Sequence, residues 1–177
     1  MAERISLKDY QRELVNRLKE AGAGRMASKL GMQLGPEAWL VDLSDAGEVI
    51  PVPPVTPVPL TRPWLRGIAN VRGNLYSVVD FPAFLGVGAV AVGEHSRLLL
   101  IGDRFRTAAA LLIDRSLGLR NPDQLKPRVG GKEAGKDANG DTPAWLRGEF
   151  EDAEGKSWKE LDLPQLVRHP DFLTVSA

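Results

Sequence analysis

The chain has 177 residues, and its 23 Lys and Arg are balanced by 23 Asp and Glu, so no overall charge draws it to nucleic acid or to an anionic membrane surface. It contains no Cys, which excludes disulfides and thiolate metal sites and fits a reducing compartment. No stretch approaches the roughly 18 apolar residues of a spanning helix, and the first ten residues lack the apolar core of a signal peptide. The expectation is a soluble, cytoplasmic protein without direct membrane insertion, built as one domain or as two small halves sharing a core.

In chain order, Leu7, Tyr10, Leu14 and Leu18 recur at helical spacing behind Ser6 as N-cap, which predicts an amphipathic helix over residues 6–21. Gly22 and Gly24 end it, and the glycine-rich passage to Pro36 reads as a linker, so residues 1–36 form an arm ahead of a domain over 37–177. The arm either packs on the body or docks on a partner. Residues 38–43 and 47–52 read as two strands of a hairpin about a Ser44–Gly47 turn. Five prolines between Pro51 and Pro59 fix an extended connector, since proline locks φ and removes a ladder donor.

Residues 64–71 and 75–80 flank an Arg72-Gly73-Asn74 turn, with positive φ expected at Gly73 and tolerated at Asn74. Residues 81–85 form a helical turn, and the leucine-rich runs 97–101 and 107–113 form a hairpin. Residues 116–127 leave the sheet through an Asn121-Pro122 turn, and residues 129–142 form a flexible loop too poor in apolar residues to order itself.

The main organising signal is a repeat. Trp64-Leu65-Arg66-Gly67 matches Trp145-Leu146-Arg147-Gly148 at an offset of 81, and then Gly73, Tyr76, Asp80, Phe81, Pro82 and Phe84 match Gly155, Trp158, Asp162, Leu163, Pro164 and Leu166 at 82. Residues shared by both copies read as scaffold. The first copy alone carries Asn70-Val71-Arg72-Gly73, against an acidic turn in the second, so a specialised surface belongs to the first.

Catalytic patterns are lacking. Asp42, Asp80, Asp114 and Asp162 each close an apolar strand, a placement that favours capping of the next turn over acid-base work. His95 and His169 lack metal-ligand spacing, and no serine sits in a nucleophile elbow. The expectation is no enzyme, no metal and no cofactor.

The run from Gly47-Glu48-Val49-Ile50 through W-L-R-G-I-A-N-V-R-G-N-L-Y-S-V-V-D-F-P-A-F-L-G to R-L-L-L-I and A-L-L-I-D-R-S resembles the chemotaxis coupling protein (CheW) family over about residues 37–167. The resemblance implies a mainly β fold of two small five-stranded antiparallel barrels sharing an apolar interface, with short helices. It further implies a non-catalytic adaptor holding a CheA-type histidine kinase to the cytoplasmic tip of a methyl-accepting chemoreceptor, in arrays at the inner face of the membrane. Receptor contact would fall on Gly47, Glu48, Val49, Asn70 and Arg72, where a guanidinium offers planar donors to partner carboxylates or carbonyls. Kinase contact is expected near Val71, Leu75, Phe81, Phe84 and Leu85. The helical arm, Tyr76 and the W-K-E-L-D-L-P-Q-L ending resemble the type IV pilus branch of the family, which governs twitching motility. The alternative is a small-barrel module binding a peptide or single-stranded nucleic acid, with Arg66, Arg72, Arg104 and Arg106 along a groove.

Overall fold

The computed structural model describes residues 28–128 and 143–176; the predicted helix over 6–21 and the loop over 129–142 lie outside the described residues. The strands are β1 (Lys29–Leu34), β2 (Glu37–Asp42), β3 (Ala46–Pro51), β4 (Val55–Thr56), β5 (Leu65–Val71), β6 (Asn74–Asp80), β7 (Arg97–Ile101), β8 (Ala109–Ile113), β9 (Arg115–Arg120), β10 (Lys126–Pro127), β11 (Leu146–Glu151) and β12 (Ser157–Leu161). Single helical turns, α1 (Phe81–Phe84), α2 (Leu163–Leu166) and α3 (Pro170–Leu173), follow β6 and β12. One sheet runs β3-β7-β8-β6-β5-β4 and the other β10-β11-β12-β2-β1-β9.

The two orders are the same plan. Reading β4-β5-β6-β8-β7-β3 beside β10-β11-β12-β2-β1-β9 sets the two copies of the sequence repeat on equivalent hairpins, each followed by a parallel neighbour, β8 or β2. One half is the middle of the chain. The other is assembled from both ends, so we call them the central and the terminal half. In the central half a connection through α1 joins β6 to β7, whereas their counterparts β12 and β1 are not consecutive in the chain.

Why these strands stand is visible in their burial. All five residues of β8 are buried, as are the last four of β7, because each strand packs on both faces. Leu99, Ile101, Leu111 and Ile113 face a shared layer with Leu30, Met32, Leu34, Trp39, Val41, Leu161, Leu163 and Leu166, which joins the halves. The alternate residues Leu98, Leu100, Ala110 and Leu112 fill the central half's own interior with Ala69, Val71, Val78 and Val90. A smaller cluster of Ala38, Leu40, Leu125 and Trp158 does the same for the terminal half.

Both repeat copies end alike. Asp80 N–H donates to the Trp64 carbonyl and Asp162 N–H to the Trp145 carbonyl, each at 2.7 Å. Asp80 is fully buried; its carboxylate accepts from Ala83 N at 3.1 Å at the start of α1, and from Arg66 Nε at 2.8 Å. Asp162 likewise accepts from Gln165 N at 3.1 Å and from Arg147. The expected capping role holds at these two positions. Asp114 instead accepts from Gly35 N at 2.6 Å, and Asp42 sits in an ion cluster.

Several expectations are corrected. Residues 28–36 are not all linker, since β1 lies inside the terminal sheet with Leu30, Met32 and Leu34 buried at strand period. Gly31 there is a packing residue, as a Cβ would meet the Trp158 ring at 3.0 Å. Strands β2 and β3 do not form a hairpin; the turn between them crosses from one sheet to the other, with Asp45 buried and paired to Arg104. Each half has six strands, with one parallel pairing, in place of five antiparallel strands; the two-residue β4 and β10 are the additions. Strand β9 falls within residues read as leaving the sheet, because its residues are nearly all exposed and carry no apolar alternation.

Where the central half has Val78, Leu98 and Leu112 packed together, the equivalent register places Glu160, Lys29 and Asp42 in the terminal half. Lys29 Nζ donates to Asp42 and Glu160, both at 2.8 Å, and Arg147 bridges Asp42 at 2.7 Å, Glu160 at 3.1 Å and Asp162 at 3.1 Å. Partial burial opposes charge on Asp42, yet hydrogen bonds from Lys29 and Arg147 hold its carboxyl below the usual range. A depressed carboxyl stabilises the fold above its unfolded value, about 3.9, and that contribution vanishes as pH falls through the folded value. Asp42→Asn therefore lowers Tm at pH 7, and the gap to the wild type closes towards pH 3. Thermal melts across that range check it; a gap that is constant with pH would contradict it.

Candidate functional site

The hairpin tip of the central half is built by its own sequence. Arg72 has φ 52° and Gly73 φ 89°, two consecutive left-handed residues between the paired Val71 and Asn74. That is the I′ turn that matches the twist of the flanking strands. The positive φ expected at Gly73 is found, and its left-handed partner in the turn is Arg72, with Asn74 extended in β6. A non-glycine residue takes this conformation only where its surroundings enforce it. Asn70 Oδ1 accepts from Gly73 N at 2.8 Å across the turn, and the Arg72 guanidinium meets both Glu48 oxygens at 2.7 Å.

Glu48 reaches that position through a bulge. The β3–β7 register shifts between Ala46 and Val49, which sets Gly47 and Glu48 beside Leu100. A Cβ on Gly47 would lie 2.9 Å from the Leu100 carbonyl oxygen, so only glycine lets the strand run this close. The pair is solvent-facing, with the Arg72 side chain 72% exposed and that of Glu48 47%. Arg72 holds the Glu48 carboxyl below its ordinary value.

Of the expected receptor-facing residues, Glu48, Asn70 and Arg72 meet at this tip, and Gly47 positions Glu48. Val49 is half-buried and packs on the shared layer. A cavity of about 260 Å³ beside the pair is also lined by Asn74, Tyr76, Leu100 and Asp103. Asp103 was hidden in the sequence because the Gly102–Arg106 stretch reads as a plain hairpin turn.

The expected kinase-facing residues do not form one surface. Phe81 is buried in the shared layer and offers no side chain to a partner, and Val71, buried in the central interior, is reached only at the wall of the cavity beside Glu48 and Arg72. Phe84 is half-buried among Trp64, Phe81, Trp145 and Phe172, and Leu85 packs on the same layer. Leu75 alone stands out, 62% exposed, at the opposite end of β6 from α1. It is paired with Asn70, with Ile68 and Ser77 as the next pair on that face.

The equivalent turn of the terminal half is differently made. Asp152 accepts from Glu154 N, Lys156 N and Trp158 Nε1, a closed set of local bonds that holds its carboxyl low. Lys156 and Arg120 lie over the Trp158 ring. Among the described residues no group of three or more His, Asp or Glu is placed to hold a metal ion, and no helix is long and apolar enough to cross a membrane.

Two sheets of one plan, with the Glu48–Arg72 pair at the hairpin tip of the central half, define a two-lobed β protein. The CheW-like domain model matches residues 29–171, and the chain belongs to that family. It is 29% identical to protein PilI of Pseudomonas aeruginosa over 94 residues, 53% of this chain and 52% of that protein. It is 33% identical to protein FrzA of Myxococcus xanthus over 90 residues, 49% and 56% of the respective chains. Against the chemotaxis protein CheW of Thermotoga maritima the figures are 26% over 90 residues, 51% of this chain and 58% of that one. The matches thus span about half the length of these relatives. The crystal structure of the scaffolding protein TtCheW from Thermoanaerobacter tengcongensis shares the fold, with a TM-score of 0.60, 20% identity, and coverage of 77% of this chain and 88% of that one.

Gly47→Ala forces the β3 bulge off the Leu100 carbonyl and disengages Glu48 from Arg72. In an NMR spectrum the Arg72 guanidinium N–H signals shift and lose exchange protection, whereas Gly93→Ala, where a Cβ meets nothing nearer than the Ala91 carbonyl oxygen at 3.8 Å, leaves Glu48 placed. Unchanged Arg72 signals in Gly47→Ala would contradict the role given to the bulge.

Proposed function

We propose that this protein is a non-catalytic adaptor that couples a methyl-accepting chemoreceptor to a CheA-type histidine kinase, in the signalling system of type IV pili. The family supports the adaptor class, and the likeness to PilI, with FrzA beside it, supports the pilus branch. The protein works in the cytoplasm at the inner face of the membrane, where the receptor tip is found.

The observation that carries the reading is the Glu48–Arg72 pair at the hairpin tip. Two opposite charges are held at the surface on a turn whose backbone cannot relax freely, and the equivalent turn of the other half has no such display. A fully exposed ion pair contributes little to stability, so its fixed geometry serves recognition, presenting donors and acceptors to a partner at low ordering cost. Glu48, Asn70 and Arg72 form the receptor-facing set, with Gly47 and Val49 fixing the strand beneath them. The kinase-facing proposal is carried by Leu75, with Ile68 on the same outward face.

The nucleic-acid alternative loses ground on the same geometry. Of the four arginines that could line a groove, Arg66 is bound to Asp80, Arg72 to Glu48 and Arg104 to Asp45. Strand recognition needs free cations beside aromatics.

Arg72→Glu places two carboxylates together and removes the donors. Purified variant protein keeps the wild-type melting transition, recruits a CheA-type kinase from lysate, and recovers at least about tenfold less receptor. Full receptor recovery by the folded variant would remove Arg72 from the site, and recovery of neither protein by the wild type would overturn the adaptor reading.

A further inference from the structure

A second place in the molecule has chemistry that neither the fold nor the tip of the central half uses. Glu149 lies in β11 and is only 7% exposed, and its Oε1 atom is buried with no hydrogen-bond partner. A buried carboxylate oxygen without a donor is costly, and native structures rarely leave one unpaired. The residue lines a cavity of about 440 Å³ together with Glu37, Arg128, Lys156, Ser157 and Lys159.

The neighbouring cations are all turned elsewhere. Lys159 stands directly opposite Glu149 across β11 and β12, the position from which a cross-strand ion pair would form. Its ammonium instead binds Glu37 Oε1 and lies 5.6 Å from the centre of the Trp39 ring. Arg128 donates to Ser157 Oγ at 2.9 Å, and Lys156 lies 4.8 Å from the centre of the Trp158 ring. Glu37 is satisfied on both oxygens, by Lys159 and by Trp39 Nε1. Glu149 is therefore the open acceptor of the group.

Comparison of the halves shows that the fold does not require it. The same register position in the central half is Ile68, an apolar residue 37% exposed. A carboxylate set into a cavity and left without a donor is poised for a donor brought from outside. An ammonium or guanidinium satisfies it best, since charge-assisted bonds are the strongest available. Arg128 and Lys156 at the same cavity favour an acidic neighbour beside that cation, as a protein surface of mixed charge presents.

We propose that the cavity at Glu149 is a second binding site, which takes an arginine or lysine side chain from a protein partner. The protein nature of the partner rests on the adaptor reading; the site itself does not. The site is on the terminal half, so the central half's tip and this cavity allow one adaptor to hold two proteins by separate contacts.

The test uses the full chain and methylguanidinium as probe, followed by NMR of the Glu149 side-chain carboxyl against sodium chloride of equal ionic strength, with recruitment assays alongside. The wild type shows a saturable shift, Glu149→Gln weakens the probe's binding about tenfold or more, and the folded variant recovers less kinase while Arg72 is intact. No shift beyond the salt control overturns the site. A shift that appears only after Lys132 and Lys136 are both replaced by Gln makes the chain's own loop the occupant and overturns the proposal. Probe binding by Glu149 with undiminished recruitment in Glu149→Gln overturns the partner role. Wild-type protein that binds the probe but recruits neither protein overturns the adaptor reading and the protein occupant together, and leaves a cation site.

Discussion

The layer of apolar side chains between the two sheets is what the rest of the molecule depends on. Leu99, Ile101, Leu111 and Ile113 from the central half meet Leu30, Met32, Trp39, Val41 and Leu161 from the terminal half. Each half is too small to bury enough surface by itself, and its strands face apolar neighbours on both sides. The layer also receives α1 and α2, through Phe81, Leu163 and Leu166, so the aspartates that cap those turns, Asp80 and Asp162, are fixed by the same packing. Hairpin tips far from the layer can then vary. That separation lets one tip carry a specialised surface while its counterpart remains a locally bonded turn.

The two halves differ in the electrostatics around their capping aspartates. In the central half, the connection after α1 returns Val90 into the interior, where its N–H donates to Asp80 and its carbonyl accepts from Arg66. Among the described residues of the terminal half, no counterpart of Val90 reaches Asp162. Arg147, the counterpart of Arg66, turns to Asp42, Glu160 and Asp162, and Lys29 joins them. An apolar trio at one end of the central half thus becomes an ion cluster in the other. Such a cluster serves specificity and pH response more than net stability, since desolvation offsets much of its Coulombic gain.

Much of this was legible in the residues. The W-L-R-G repeat announced two like halves because its Trp packs on the shared layer and its Arg pairs with the Asp at the end of the next strand in both, and the Asp-apolar-Pro ends specified capped turns. Three features escaped for physical reasons. Gly31 reads as a breaker but is a packing residue under Trp158, so β1 was taken for linker. The turn after Asp42 looks like a hairpin turn, and nothing local tells a strand that continues its own sheet from one that crosses to another. β9 carries the signature of an exposed edge, which periodicity does not detect. At the site, the turn that carries Arg72 stood out from the difference between the repeat copies, but Glu48 was legible only through the family resemblance, because residues 24 positions apart are joined by register and a bulge. Val71, in a strand, and Phe81, at the start of α1, are buried because apolar side chains serve the core first.

The central claim is that recognition of the receptor is confined to the tip of the central half. The most direct measurement is an amide NMR map of the isotope-labelled chain as the cytoplasmic tip of a methyl-accepting receptor is added. The account predicts shifts centred on residues 47–49 and 70–74, with residues 151–156 of the equivalent turn unmoved. Shifts of equal size on the 151–156 turn, or a footprint that avoids Arg72, would contradict it.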